Sequence, residues 1–173
     1  ELDPQDILNF HWIIAEYVEN DEFDQALYAV NEAMTFHPED GELYRQKGDV
    51  HMFLLQSKLA LESYSKAIEL DPENGFYYMQ KADYLLFELE RNEEALKLYE
   101  EAHNLKPDEP SPLYGMIYSY SALNEFENIE KLCEKLISLD FKDPEPYYHL
   151  SNYYGLSNNY LKSATYLSIA IFK

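Results

Sequence analysis

The sequence predicts an all-α protein built from repeated helix pairs, and three observations carry that prediction. One spacing recurs in QALYAVNEAMTFHP (25–38), LALESYSKAIELDP (59–72) and EALKLYEEAHNLKP (94–107): an alanine, a second alanine seven residues on, and a proline five residues after that. Prolines 4, 38, 72, 107 and 144 mark out intervals of 34, 34, 35 and 37 residues, a period that belongs to stacked helix pairs. Five glycines in 173 residues are too few for a β protein rich in tight turns.

The elements follow in order from these marks. Within the unit from Pro38 to Pro72, Leu43, Tyr44, Gly48 and His51 recur at helical steps and predict a first helix. Ala60, Tyr64, Ala67 and Ile68 predict a second. A small residue, Gly48 here and Ala82 in the next unit, lets the two helices approach closely. The alanines two turns apart do the same for the second helix. Tyr64 and Tyr99 fill the space between the alanines, where the first unit has Val30. The closing proline has no N–H and disfavours helix in the residue before it, so it ends the second helix. The units are predicted at 5–38, 39–72, 73–107, 108–144 and 145–173, forming a single repeat domain over 1–173.

These residues resemble the tetratricopeptide repeat, whose pattern is large at position 4, small at 8, large at 11, alanine at 20, aromatic at 24, alanine at 27 and proline at 32. Tyr44, Gly48, Ala60, Tyr64, Ala67 and Pro72 match it. With one inserted residue before the second helix, so do Tyr78, Ala82, Leu85, Ala95, Tyr99, Ala102 and Pro107. The first unit matches with Phe10, Tyr17, Ala26, Ala33 and Pro38, but has Ile14 at the small position. The fourth keeps Tyr114 and Phe126 and places Ile129, Cys133 and Leu136 where alanine, aromatic and alanine are expected, with a late proline. The fifth offers Tyr147, Ser151, Tyr154, Leu161 and Ala164, then Ser168 and Ile171.

The resemblance implies a right-handed superhelical solenoid of about five repeats, acting as a protein-interaction module whose first helices line a concave groove. Positions 2, 5, 9 and 12 would face that groove. They map to Leu8, His11, Ala15 and Val18, then Glu42, Arg45, Asp49 and Met52, then Phe76, Met79, Asp83 and Leu86. Gly115 and Ser119 follow in unit four, and Tyr148 and Asn152 in unit five. The expected partner-binding set is His11, Arg45, Asp49, Met52, Phe76, Met79, Asp83, Tyr148 and Asn152, and apolar pockets among acidic groups suit a peptide or helix carrying Lys or Arg. Family members that clamp a C-terminal carboxylate present Lys and Asn from this groove. Asp49 and Asp83 would repel one.

The charge agrees with a basic partner. The formal net charge is −20, and residues 1–44 hold twelve Asp or Glu and no Lys or Arg. Such a field repels nucleic acid and anionic lipid. Seventeen tyrosines suit either helix packing or a binding surface. No apolar run approaches the roughly 20 residues of a membrane-spanning helix, so membrane insertion is not expected. The sequence has no glycine-rich phosphate loop, and its five histidines lack metal-ligand spacing. The acidic run Asn20 to Asp24 is expected to be an inter-helix turn rather than a calcium loop. We therefore expect no enzyme activity, cofactor or metal.

The single cysteine, Cys133, excludes an internal disulfide and fits a reducing compartment such as the cytoplasm. The chain opens with Glu1 rather than Met, as a processed chain or a fragment would. Two arginines against eleven lysines fit an AT-rich microbial genome. The last helix, SATYLSIAIFK, is uncharged until Lys173, and terminal repeats need a polar outer face. A further repeat, a second copy or a partner is expected to cover Tyr166, Ile169 and Phe172. The alternative function is thus a structural or oligomerising spacer working through that helix, joined to another domain outside this segment.

Overall fold

The structure is a computed structural model that describes residues 6–140 and 142–173; Pro4, the first of the spacing prolines, lies outside them. The described residues form ten α-helices and no strand. They pack as two compact units, one ending at Tyr84 and the other beginning at Leu85.

The first unit contains α1 (Ile7–Glu19), α2 (Phe23–Phe36), α3 (Gly41–Phe53), α4 (Ser57–Leu70) and α5 (Gly75–Asp83). Asp6, Asp40 and Asn74, each 34 residues from the next, cap the starts of α1, α3 and α5. Their side-chain oxygens accept from the backbone N–H of Leu8, Leu43 and Phe76 at 3.0, 3.0 and 3.2 Å, which satisfies donors that a helix start leaves unpaired. Ile14, Val30, Ala33 and Leu43 are almost wholly buried and form one cluster with Phe10 and Ala29. Gly48 behaves as expected: a Cβ there would lie 2.6 Å from the ring of Tyr64, so α3 and α4 reach their spacing only because the position is bare.

The second unit contains α6 (Asn92–Leu105), α7 (Ser111–Leu123), a 3-10 turn at Phe126–Asn128, α8 (Ile129–Leu139), α9 (Glu145–Leu156) and α10 (Tyr160–Ile171). Tyr99, Leu113, Ile117, Cys133 and Leu150 are among its most buried side chains.

One backbone device punctuates every repeat. Asp21, Leu55, Glu90, Asn124 and Asn158 all have φ between 54° and 59°, at intervals of 34, 35, 34 and 34 residues. In four of the five turns the next residue's N–H bonds a carbonyl five residues back: Glu22 to Tyr17, Gln56 to His51, Glu125 to Tyr120 and Asn159 to Tyr154, at 2.8–2.9 Å. This is the closure that ends a helix on a left-handed residue. In the third repeat Arg91 bonds Leu85, six residues back. The residue inserted there is absorbed in a π-helical turn, Tyr84–Glu88, continuing α5. The insertion thus sits in the first helix and leaves the inter-helix turn unchanged.

The left-handed residues also correct the register of the later repeats. Pro144 does not close α8; it stands at the start of α9, as Pro110 does for α7. Pro110 and Pro144 are 34 residues apart, and the 37-residue interval came from counting two different kinds of proline together. Gly115 and Ser119 consequently lie inside, not on a groove. A Cβ at Gly115 would strike the Tyr99 ring, and the wholly buried Ser119 hydroxyl donates to the Gly115 carbonyl at 2.9 Å. In the last pair Ser163 and Ala170, not Ala164 and Ile171, turn inward: Ser151 donates to the Ser163 carbonyl at 3.0 Å, and Ala170 is buried.

Candidate partner-binding surfaces

In the first unit the expected row is continuous from α1 to α5. His11 on α1 meets Gln46 on α3, Nδ1 to Oε1 at 2.9 Å, and Gln46 Nε2 donates to the His11 carbonyl at 3.3 Å. Next to Gln46 on α3, Arg45 is gripped from both sides. Its Nε lies 2.9 Å from each Glu42 oxygen, and its other arm donates to Asp49. The guanidinium also sits 5.6 Å from the centre of the Phe76 ring on α5, within cation–π range. Asp49 accepts on its second oxygen from the Tyr64 hydroxyl at 2.7 Å.

The electrostatics follow from that arrangement. Burial opposes the charge on Arg45, but hydrogen bonding to Glu42 and the charge of Asp49 hold its pKa above the usual arginine value. Burial pushes the Asp49 carboxyl up, against the pull of Arg45 and Tyr64. The Tyr64 hydroxyl is likewise raised, first by burial and then by the neighbouring carboxylate. Both Asp49 oxygens are therefore held within the protein. The sequence showed which face Asp49 occupies, but not that its charge is already paired.

Between α1 and α3 this row opens into a pocket of about 190 Å³, lined by Ile14, Ala15, Val18, Glu19, Arg45 and Asp49 with Gln46 beside them. On the α1 side Ile14, Ala15 and Val18 give an apolar wall that ends at Glu19, and Arg45, Gln46 and Asp49 line the α3 side. Glu19 and Asp49 outnumber Arg45 in its lining, so the pocket carries surplus negative charge. Met52, Met79 and Asp83 are half-buried, and Phe76 is exposed.

In the second unit Tyr148 and Asn152 are exposed on α9. Two further residues belong with them that the shifted register concealed, Tyr114 and Tyr118. The Tyr118 ring stands edge-on to Phe87 at 6.1 Å and to His149 at 5.5 Å. Its hydroxyl donates to Glu145 at 2.5 Å, and that bond raises the hydroxyl's pKa to about 12. Tyr114 donates to Asp143. The pair PxP at 110–112 and 144–146 was the signal that would have aligned these helices correctly.

The expected assembly face of α10 divides in two. Tyr166 stacks on Tyr154 with ring centres 5.5 Å apart and planes at 2°, and Ile169 is half-buried. Phe172 is 86% exposed, and Leu161 at 82% and Ile171 at 63% accompany it. Among the described residues no three His, Cys, Asp or Glu side chains gather as a metal site would need, and no helix is long and apolar enough to cross a membrane. Cys133 is buried, and burial raises its thiol pKa to about 12, far from that of a nucleophile.

Comparison with known proteins agrees with this architecture. A model of the tetratricopeptide repeat matches residues 41–74. Similar solved structures include MamA from Desulfovibrio magneticus RS-1 (TM-score 0.80, 18% identity, 98% of this chain and 94% of that one). PilF of Pseudomonas aeruginosa is similar at TM-score 0.79 and 19% identity, covering 94% of this chain and 74% of that one. YrrB, described as having an unusual peptide-binding site, is similar at 0.75 and 18%, covering 96% and 86%. No curated protein sequence matches the chain.

Proposed function

We propose that this chain, a tetratricopeptide-repeat protein with the all-α solenoid fold of that family, is a protein-interaction scaffold. Its working site is the first-helix row of the α1–α5 unit. The observation that carries the reading is the pocket between α1 and α3, where Ile14, Ala15 and Val18 stand beside Glu19 and across from Arg45 and Asp49. Its partner is a segment that places an apolar side chain against α1 and a Lys or Arg beside the surplus carboxylates. YrrB's peptide-binding site supports the reading by analogy of fold. Neither the family model nor the similar structures indicate a catalytic family.

Asp49 is a poor residue for the test, because replacing it also strips Tyr64 of its acceptor and Arg45 of one of its two carboxylates. Ala15 and Glu19 are exposed and line the same pocket. Peptides selected from a display library against the whole chain should be enriched in Lys or Arg next to an apolar residue. Ala15→Lys with Glu19→Lys should weaken them by about tenfold and flatten the salt dependence, since shortening the screening length from roughly 10 Å to 3 Å acts on exposed charge contacts. Selected peptides that bind the double variant as tightly as the parent would sink the proposal.

A second reading rests on α10. Leu161, Ile171 and Phe172 leave large apolar side chains in solvent, and a spacer that assembles through this helix would cover them. Phe172→Lys with Ile171→Lys would then shift the sedimentation of the chain and leave peptide binding alone.

A further inference from the structure

A larger groove lies on the other side of the first helix pair. Phe10, Ile13 and Tyr17 form one stripe of α1, separate from the stripe of His11, Ala15 and Val18, and face Gln25, Tyr28, Ala29 and Glu32 of α2. The groove holds about 430 Å³. Its lining is mostly apolar, and Asp24 and Glu32 add two carboxylates to it.

The same groove recurs in the second pair, 34 residues on, with a different lining. Lys47 replaces Ile13, His51 replaces Tyr17, Glu62 replaces Tyr28 and Lys66 replaces Glu32. There it opens at about 210 Å³ and is internally satisfied: Lys47 donates to Asn31 of α2 at 2.9 Å, and Lys66 meets Glu69 at 2.7 Å. That second groove remains open although the α1–α2 pair is packed before it. A preceding helix pair, which reaches Lys47 through Asn31, thus leaves this position open. Ile13 is 38% exposed and Tyr28 70%.

We propose that the α1–α2 groove is a second docking site, distinct from the first-helix row, for a protein segment presenting a large apolar side chain flanked by Lys or Arg. The apolar walls take the anchor, and the Tyr28 ring closes over it. The charge selects the flanks: Asp24 and Glu32 border the groove, and residues 1–44 hold twelve acids and no Lys or Arg. An amphipathic helix with its apolar face inward and a cationic rim fits both features. The volume is within the range of sites that enclose a small ligand or one bulky side chain, roughly 300–1,000 Å³.

The probe is a short amphipathic helix of leucine and lysine, with a leucine–glutamate counterpart, titrated into the isotope-labelled whole chain and followed by methyl and aromatic resonances. The lysine peptide should shift Ile13, Ala29 and Tyr28, and the glutamate peptide should not. Ile13→Lys with Tyr28→Glu installs the residues the second pair already carries at those places, so the fold is retained, and should weaken the lysine peptide at least about tenfold. If that variant does not fold, Tyr28→Glu alone carries the test, since its ring is mostly in solvent. Shifts confined to Ala15, Val18 and Met79 would overturn this site and leave the first-helix row standing. So would equal binding of the glutamate peptide, undiminished binding to the variant, or no binding at all overturn it.

Discussion

The second and fourth helix pairs solve one packing problem with opposite side chains. Gly48 on α3 and Tyr64 on α4 stand seven residues before and nine after the left-handed Leu55; Ile117 on α7 and Cys133 on α8 stand at the same distances from the left-handed Asn124. Tyr64 is 2% exposed, Ile117 and Cys133 0%, and Gly48 is buried. In one pair the first helix is bare and the second supplies a ring. In the other the first helix supplies the bulk and the second is slim. In these two pairs the bulk between the helices comes once from the second helix and once from the first.

Exchanging those residues tests the comparison, and the largest effect is expected in the fourth pair. Ile117→Gly removes a fully buried side chain, worth about 2–5 kcal/mol with its cavity, and adds about 1 kcal/mol of helix penalty. Urea unfolding should show a loss of about 4 kcal/mol. A loss below about 1 kcal/mol would mean that Ile117 does not fill the place that Tyr64 fills, and the equivalence fails.

Next comes Gly48→Ile, which drives a Cβ to within 2.6 Å of the Tyr64 ring and should cost about 1–3 kcal/mol by overpacking. Adding Tyr64→Cys recreates the slim second helix of the fourth pair. The double variant should be more stable than the two single losses added together, with a coupling of about 1 kcal/mol or more. Recovery stays incomplete, because Asp49 loses the hydroxyl 2.7 Å away. Strictly additive losses would show that the two positions do not share one space.

The comparison also explains how much was legible in the sequence. The helices, their pairing and the small residue at Gly48 followed from spacing, because alanine and glycine report close approach directly. The spacing also put Arg45, Asp49 and Phe76 in one row, and the structure brings these three side chains together. The fourth repeat misled because identity, not volume, was being matched, and because proline serves both to end a helix and to begin one. The left-handed residues would have settled the register, but left-handed backbone is legible only at Gly or Asn. Three of the five here are Asp21, Leu55 and Glu90. The pairing of Asp49 with Arg45 and Tyr64 was invisible for another reason: it depends on rotamers of side chains up to 15 residues apart, which periodicity does not encode.

The smallest expected effect falls at those turns and completes the contrast. Leu55 holds φ of 58° with its side chain 87% exposed, so it has little packing to set against the strain of a left-handed leucine. Asn124 holds φ of 59° at the matching place, where its short polar side chain tolerates the conformation. Leu55→Asn should therefore stabilise the chain by about 0.5–1 kcal/mol, and Asn124→Leu should destabilise it by a similar amount, both read from urea midpoints at unchanged slope. Equal and opposite shifts would place the difference between the two turns in the backbone alone. If Leu55→Asn instead destabilises, the exposed leucine has a contact that outweighs its strain, and the turns are not interchangeable.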